Sequence, residues 1–158
     1  MTFNHLVLIG GGHSNVLLIK KWLMCTKLMP EIPVSIISRD SHLVYSAMFP
    51  SVISKSITLE ESLIDIKSLA KNAKVSFIEE EVKDILSYEN KIKIETKENK
   101  FICDDVVITA GVFSEKLSKK YGANVPMQSE RGYHLELSGT NVKLKYPLMN
   151  GYLKLAIT

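Results

Sequence analysis

HLVLIGGGHSN, residues 5–15, decides how the rest of the chain is read. Leu6–Ile9 is a short apolar run that ends on Gly10, Gly11 and Gly12, and a helix-like pattern begins at His13. An apolar strand feeding a glycine turn and then a helix is the phosphate-binding corner of a dinucleotide fold. The first glycine allows the tight turn. The second has no Cβ and lets the backbone approach a diphosphate, while the amides and positive end of the helix face the anion. The spacing is G-x-G-x-x-G, with Asn15 in the third glycine's place. That position normally permits close helix–strand packing, so Asn15 calls for a slight shift of the helix. Gly10, Gly12, His13, Ser14 and Asn15 are thus cofactor-binding candidates, and His13 can donate a hydrogen bond to phosphate. The competing reading is a glycine turn that binds nothing; the position directly after a β-like run favours the nucleotide.

Working outward, residues 16–29 carry apolar side chains at three- and four-residue steps, a first helix that Pro30 and Pro33 stop. Val34–Ser38, VSIIS, is a β-branched second strand. Its tip is where a dinucleotide fold carries an acid for the adenosine ribose, and Ser38 stands there with Asp40 two residues on. The ribose contact falls to Ser38 or Asp40; a turn or cap role for Asp40 is equally open. Residues 41–55 lack clean periodicity and read as a loop. Residues 59–72 read as a second helix, with a capping box between Thr58 and Glu61. A third strand is expected over 74–78. An antiparallel meander follows over 82–87, 91–96 and 100–103, inserted into the parallel sheet, and KIKIET within it alternates as a strand with one wet face does. DVVIT, residues 105–109, returns to a buried strand and meets Ala110 and Gly111, a second small-residue turn expected beside the first. A lysine-rich helix over 114–121 ends at Gly122. Beyond it, 126–137, 142–146 and 152–157 alternate like strands, with turns at 138–141 and Asn150-Gly151.

A chain of 158 residues, 46% hydrophobic, is one domain, or a domain and a fragment. The net charge of +3 is small and the lysines are scattered with no aromatic interleaving, which argues against nucleic acid. Of 20 basic side chains only Arg39 and Arg131 are arginines, the type suited to a bidentate grip on carboxylate or phosphate. Cys25 and Cys103 are far apart in sequence and read as two reduced, buried thiols. His42 and His134 show no metal-ligand spacing, so no metal is expected. With no signal peptide before the glycines and no long apolar run, the expected location is cytoplasmic.

Residues 5–111 resemble the amino-terminal part of a flavoprotein with two dinucleotide-binding domains. The resemblance is to type II NADH dehydrogenase-like proteins and to the flavin domain fused to selenophosphate synthase. It rests on LVLIGGGHSNV at 6–16, VYSAMFP at 44–50 and DDVVITAG at 104–111. It implies FAD as cofactor, with its diphosphate at Gly10 and Gly12, Ser46 and Met48 toward the flavin, and Ala110 and Gly111 as further contacts. The family's acid at the second strand tip is missing. Residues 105–158 resemble the D-amino-acid dehydrogenase and glycine oxidase-like family, through VVITAGVFSEKL at 106–117, VPMQSERGYHLEL at 125–137 and YPLM at 146–149. There the ERGYH segment is an early strand of a substrate-domain sheet. Arg131 and Tyr133 are therefore candidates for a substrate carboxylate, or for fixing a strand.

The expected architecture is α/β: a Rossmann-like FAD-binding parallel sheet with an antiparallel meander over 1–122, then an incomplete β-rich substrate-domain segment over 123–158. The chain reads as a composite, the first half of one flavoprotein joined to an inner piece of another. No second glycine fingerprint for NADH follows residue 12, and no catalytic acid or base stands out. The first functional reading is an FAD-dependent oxidoreductase, or a truncated remnant of one, passing hydride between a small amine or amino acid, or NADH, and flavin. The alternative is a non-catalytic FAD- or ADP-binding module, with a homo-oligomer or a partner chain supplying missing elements. A methyltransferase using the same corner is disfavoured by the meander and the second turn.

Overall fold

The structure, a computed structural model, describes residues 5–129, 138–139, 141, 144–145, 148–153 and 155–157. In chain order its elements are β1 (Leu6–Ile9), α1 (His13–Met24), β2 (Val34–Ser38), β3 (His42–Val44), α2 (Phe49–Ile53), β4 (Leu63–Asp65), α3 (Ile66–Asn72), β5 (Ser76–Glu79), β6 (Val82–Tyr88), β7 (Lys91–Thr96), β8 (Lys100–Cys103), β9 (Asp105–Ile108), α4 (Ser114–Lys119), β10 (Leu148–Asn150) and β11 (Leu155–Ile157). Two compact units result, Met1–Gln128 and Ser129–Thr158.

The first unit is α/β. Its four-stranded parallel sheet has the order β5-β2-β1-β9. Counting only the parallel strands, this is 3-2-1-4, the order of the first half of a doubly wound dinucleotide fold. The chain lays β2 and then β5 on one side of β1 and returns to place β9 on the other. The reversal falls between β1 and β9, which pair in register from Leu6↔Asp105 to Ile9↔Ile108.

Strand alternation divides the apolar side chains between two layers. Leu8, Val34 and Ile36 face the helices and pack with Val16, Ile19 and Trp22 of α1 and Ile66 and Ala70 of α3. Val7, Ile9 and Ile37 face the other way and pack with Ile85, Ile94, Cys103 and Leu117. The meander β6-β7-β8 therefore forms its own sheet over one face of the parallel sheet instead of an insertion within it. Ile94 is fully buried while Lys93 and Glu95 on the opposite face form an ion pair at 2.8 Å, as the alternation in KIKIET requires.

Several elements differ from the sequence expectation. α1 starts at His13 and ends at Met24, and a 3-10 turn over Thr26–Leu28 completes the expected helix. The helix expected over 59–72 is broken. The capping box exists, with Glu61 Oε2 accepting from the Thr58 amide at 2.7 Å, but it closes only a 3-10 turn, Glu60–Ser62. Leu63–Asp65 then pairs antiparallel with His42–Val44, inside the segment expected to be a loop. Asp65 restarts the helix by accepting from the Ser68 amide at 2.8 Å and the Ser68 hydroxyl at 2.5 Å. Cys25 is exposed, at the end of α1, whereas Cys103 is buried.

In the second unit the described strands are β10 and β11, antiparallel from Leu148↔Ile157 to Asn150↔Leu155. The turn at Asn150-Gly151 is as expected, but the second strand starts later than 152, because Asn150 Oδ1 accepts from the Leu153 amide at 2.9 Å and keeps 151–153 in the turn. Of the strand expected over 126–137, residues 126–129 are not in a strand and the rest lie outside the described residues. Arg131, Tyr133 and His134 fall there, as does most of the strand expected over 142–146.

Carboxylates tie the layers together at the surface. Lys91 Nζ bridges to Asp104 at 3.1 Å, and Asp104 also accepts from the His5 amide at 3.0 Å. Lys120 at the end of α4 bridges to Asp84 of β6 at 2.5 Å. The Lys120 ammonium holds Asp84 below the usual carboxylate range, and the Lys91 ammonium does the same for Asp104. Groups whose folded-state pKa is depressed stabilise the fold above their unfolded values and lose that contribution as pH falls through the folded ones. Urea midpoints should accordingly stay level down to about pH 4 and decline below it. In Lys120→Ala the decline should be shallower, since Asp84 then loses the largest cause of its depression and keeps only the Ile85 amide and the Lys116 charge.

Candidate functional site

The carboxyl ends of all four parallel strands open on one cleft of about 480 Å³. Gly10, Gly11 and Gly12 after β1 line it, as do Ser38, Arg39 and Asp40 after β2, Glu80 and Glu81 after β5, and Thr109, Ala110 and Gly111 after β9. Lys83 of the meander and Lys116 of α4 complete the wall. Ligands of open α/β sheets bind at this edge, at the point where strand order reverses.

The glycine turn is fixed by contacts that leave no room for side chains. Gly10 has φ +107°, a conformation that glycine adopts readily, and a Cβ on it would sit 2.6 Å from the Thr109 carbonyl oxygen. A Cβ on Gly11 would overlap Ser38 Oγ and lie 2.7 Å from Ile66 Cδ1. Gly12 is different: the nearest atom to a Cβ there is Thr109 O at 3.9 Å, so its open side is cleft. The Gly10 amide donates to the Ile37 carbonyl at 2.9 Å, and the Gly12 carbonyl accepts from Val16 at 3.1 Å. The amides of Gly11 and Gly12 find no protein acceptor among the described residues. They stand at the start of α1, whose first turn carries no acid and whose N-cap, Gly12, makes no side-chain capping bond. Unpaired amides at the positive end of a helix are an anion-binding arrangement.

Asn15 is 1% exposed, and its Nδ2 donates to the Gly10 carbonyl at 2.7 Å. Ser38 is buried and donates to the Asp40 carbonyl at 2.8 Å, while the exposed Asp40 carboxylate accepts from Arg39 Nε at 3.1 Å. Ala110 and Gly111 lie beside the first turn, as the parallel pairing of β1 with β9 requires, and Thr109 donates its amide to the Ile9 carbonyl at 2.9 Å. His13 and Ser14 are exposed on the first turn of α1 and outside the cleft lining. The His13 ring lies 5.3 Å from that of Tyr45, tilted by 50°. Ser46 and Met48 follow in a 3-10 turn, also outside the lining.

Gly11, Glu80 and Lys116 are among the lining positions missed from sequence. Gly11 counts for packing against β2, which the spacing rule ignores. Glu80 follows the third parallel strand, so the rule that strand ends line the site would have found it. Lys116 arrives with α4, and no local signal marks it. Glu80 accepts from the Thr96 hydroxyl and from Asn99 Nδ2, the latter at 2.6 Å, and the Thr96 hydrogen bond above all holds it below the usual carboxylate range. Lys83 bonds Glu81 at 2.6 Å with the same effect. Both acids are thus ionised near neutral pH and neither is a proton donor there. Burial, with Asp104 and Asp105 nearby, pushes the Cys103 thiol up to about 11, far from a reactive thiolate. Among the described residues no three His, Cys, Asp or Glu side chains converge on a metal site, and no helix is long and apolar enough to cross a membrane.

Sheet order, turn and cleft together define a Rossmann-like dinucleotide-type domain. The sulfide:quinone oxidoreductase of the hyperthermophilic bacterium Aquifex aeolicus shares this fold, with a TM-score of 0.56 and 26% identity over 68% of this chain and 24% of that one. Weaker matches are the bacillithiol disulfide reductase of Staphylococcus aureus, at TM-score 0.43 and 20% identity over 73% of this chain and 40% of that one, and a pyridine nucleotide-disulfide family oxidoreductase of Enterococcus faecalis, at 0.41 and 24% over 66% and 22%. The chain spans about a quarter of the length of the Aquifex protein. No protein-family model and no curated protein matches the sequence.

The spare room at Gly12 and the lack of it at Gly10 separate folding from binding. Gly12→Ala should change stability by less than about 0.5 kcal/mol, yet weaken any anion bound at the turn. Gly10→Ala should cost roughly 1–3 kcal/mol through its φ alone. Thermal melts of the two variants with and without ADP check this.

Proposed function

We propose that residues 1–122 form an FAD-binding domain that holds the adenosine diphosphate half of the cofactor. The observation that carries this is the pair of amides, Gly11 and Gly12, with no acceptor among the described residues, at the start of α1 on the switch-point edge of the sheet. The cleft suits the group: Gly10 and Gly11 keep side chains out of the turn, and lining from the ends of β1, β2 and β9 gives an extended ligand contacts on both sides. Gly10, Gly11 and Gly12 face the diphosphate. Ser38 or Asp40 receives the ribose, and Ala110 and Gly111 close the far wall. Ser46 and Met48 are assigned to the flavin side; they lie outside the cleft lining, and the Tyr45–His13 ring contact, which links their segment to the first turn of α1, supports that assignment.

Bound FAD supplies hydride-transfer chemistry, and the protein's part is binding and orientation. Two supports favour an oxidoreductase: the shared fold with the Aquifex enzyme, and the motifs at 6–16, 44–50 and 104–111. A small amine, an amino acid or NADH is the donor this reading implies, with Arg131 and Tyr133 for a substrate carboxylate. The second reading is a non-catalytic FAD- or ADP-binding module completed by a partner chain or a second copy. It is favoured by the ionised state of Glu80 and Glu81 in the cleft wall, neither of which is a proton donor near neutral pH.

Titration calorimetry and thermal melts decide between these readings. ADP and FAD should compete for one site, and each at a hundredfold excess over its Kd should stabilise the fold by about 2.7 kcal/mol. FMN, which lacks the adenosine half, should not displace ADP. Binding of neither ADP nor FAD would overturn the proposal. Bleaching of bound flavin by NADH or by an amino acid marks the oxidoreductase; flavin that stays oxidised marks the module.

A further inference from the structure

We propose that Asn15 is a positioning residue, whose side-chain amide sets the Gly10–Gly11 peptide and so aims the Gly11 N–H at the diphosphate. The inference rests on the dinucleotide reading above and assigns a task to the one position that departs from the glycine spacing.

Asn15 is the third residue of α1 and is 1% exposed, yet its side chain turns back out of the helix to the turn before it. Nδ2 meets the Gly10 carbonyl oxygen at 2.7 Å. A carbonyl only accepts, so the amide must present its N–H₂ side there. In a trans peptide the C=O and the following N–H point to opposite sides. Holding the Gly10 oxygen against the helix therefore turns the Gly11 N–H the other way, where it meets no acceptor among the described residues.

The tether is needed because Gly10 is loosely restrained by its own chemistry. At φ +107° it has no Cβ to limit the peptide that follows. Its N–H is fixed to β2 through the Ile37 carbonyl at 2.9 Å, and its C=O is fixed to α1 through Asn15. A third glycine at 15 would permit closer packing but has no group with which to hold the peptide. Asn15 exchanges that closeness for a buried hydrogen bond, and the diphosphate meets amides already oriented, with less ordering to be done on binding.

The test uses the whole chain, with ADP as probe. In wild type one Asn15 Nδ2 proton should exchange slowly with solvent. In Asn15→Ala the Gly11 amide resonance should move, and ADP should bind roughly tenfold to a hundredfold more weakly, as expected for loss of a buried hydrogen bond. Asn15→Asp gives a readout that a packing role would not move. Its carboxylate cannot donate to the Gly10 carbonyl, whereas its protonated form can. Burial and the facing carbonyl raise its pKa, so in the ADP-free protein, where no diphosphate repels the carboxylate, its Gly11 amide resonance should return toward the wild-type position as pH falls. If Asn15→Ala does not fold, this pH-dependent resonance still decides. A Gly11 resonance in Asn15→Asp that does not move with pH, or wild-type ADP affinity in Asn15→Ala, overturns the inference and leaves the dinucleotide reading standing. A wild type that binds neither ADP nor FAD overturns both.

Discussion

The main chain of Gly10 against the carbonyl of Thr109 is the contact on which the rest of the first unit depends. It exists because β1 and β9 are parallel neighbours in register, so their carboxyl ends stop side by side. Any side chain at residue 10 would push the two strand ends apart. The contact also places a second small-residue turn across from the glycine turn, and the space between them is the cleft. Sheet topology, turn conformation and site are thus consequences of one close approach. The glycine there serves folding first and binding second.

Burial on both faces of the parallel sheet makes that approach possible. Leu8 and Ile36 on one face and Val7, Ile9 and Ile37 on the other are almost fully buried. Each such side chain contributes on the order of 1.5–3 kcal/mol by leaving water. Helices cover one face and a second sheet covers the other. The meander therefore does more than connect β5 to β9. Ile85 and Ile94 seal the sheet, while its charged edge brings Lys83 to the cleft. Ion pairs such as Lys120–Asp84 are partly exposed and fasten elements that apolar packing has already brought together.

Much of this was legible in the sequence, and the reasons are physical. Val34–Ser38 and Lys91–Thr96 were read to the residue because strand patterns of five or six residues with polar or proline borders have few alternatives. The glycine turn was legible because its backbone needs are particular to glycine. Residues 59–72 were misread because Leu63, Ile66, Leu69 and Ala70 fit helical spacing. Only tertiary pairing with β3 takes 63–65 out of the helix, and Asp65 with Ser68 carries the overlooked restart signal. Asn15 was read as an obstacle, since spacing rules record which residue is missing but not what its replacement reaches. Gly11 was passed over because its neighbour, Ser38, is distant in sequence.

β1 has four residues, and each is read twice. Its alternation assigns Leu8 to the helices and Val7 and Ile9 to the meander, while its length places Gly10 level with the end of β9. Adding or deleting one residue between 6 and 9 would exchange the two apolar faces and at the same time carry the glycine past its neighbour. The lengths of the polar turns at 89–90 and 97–99 carry no such double meaning. Variation in chain length is therefore tolerated at the meander's tips and forbidden in the first strand, so homologues should conserve the count of residues before the glycines more strictly than their identity.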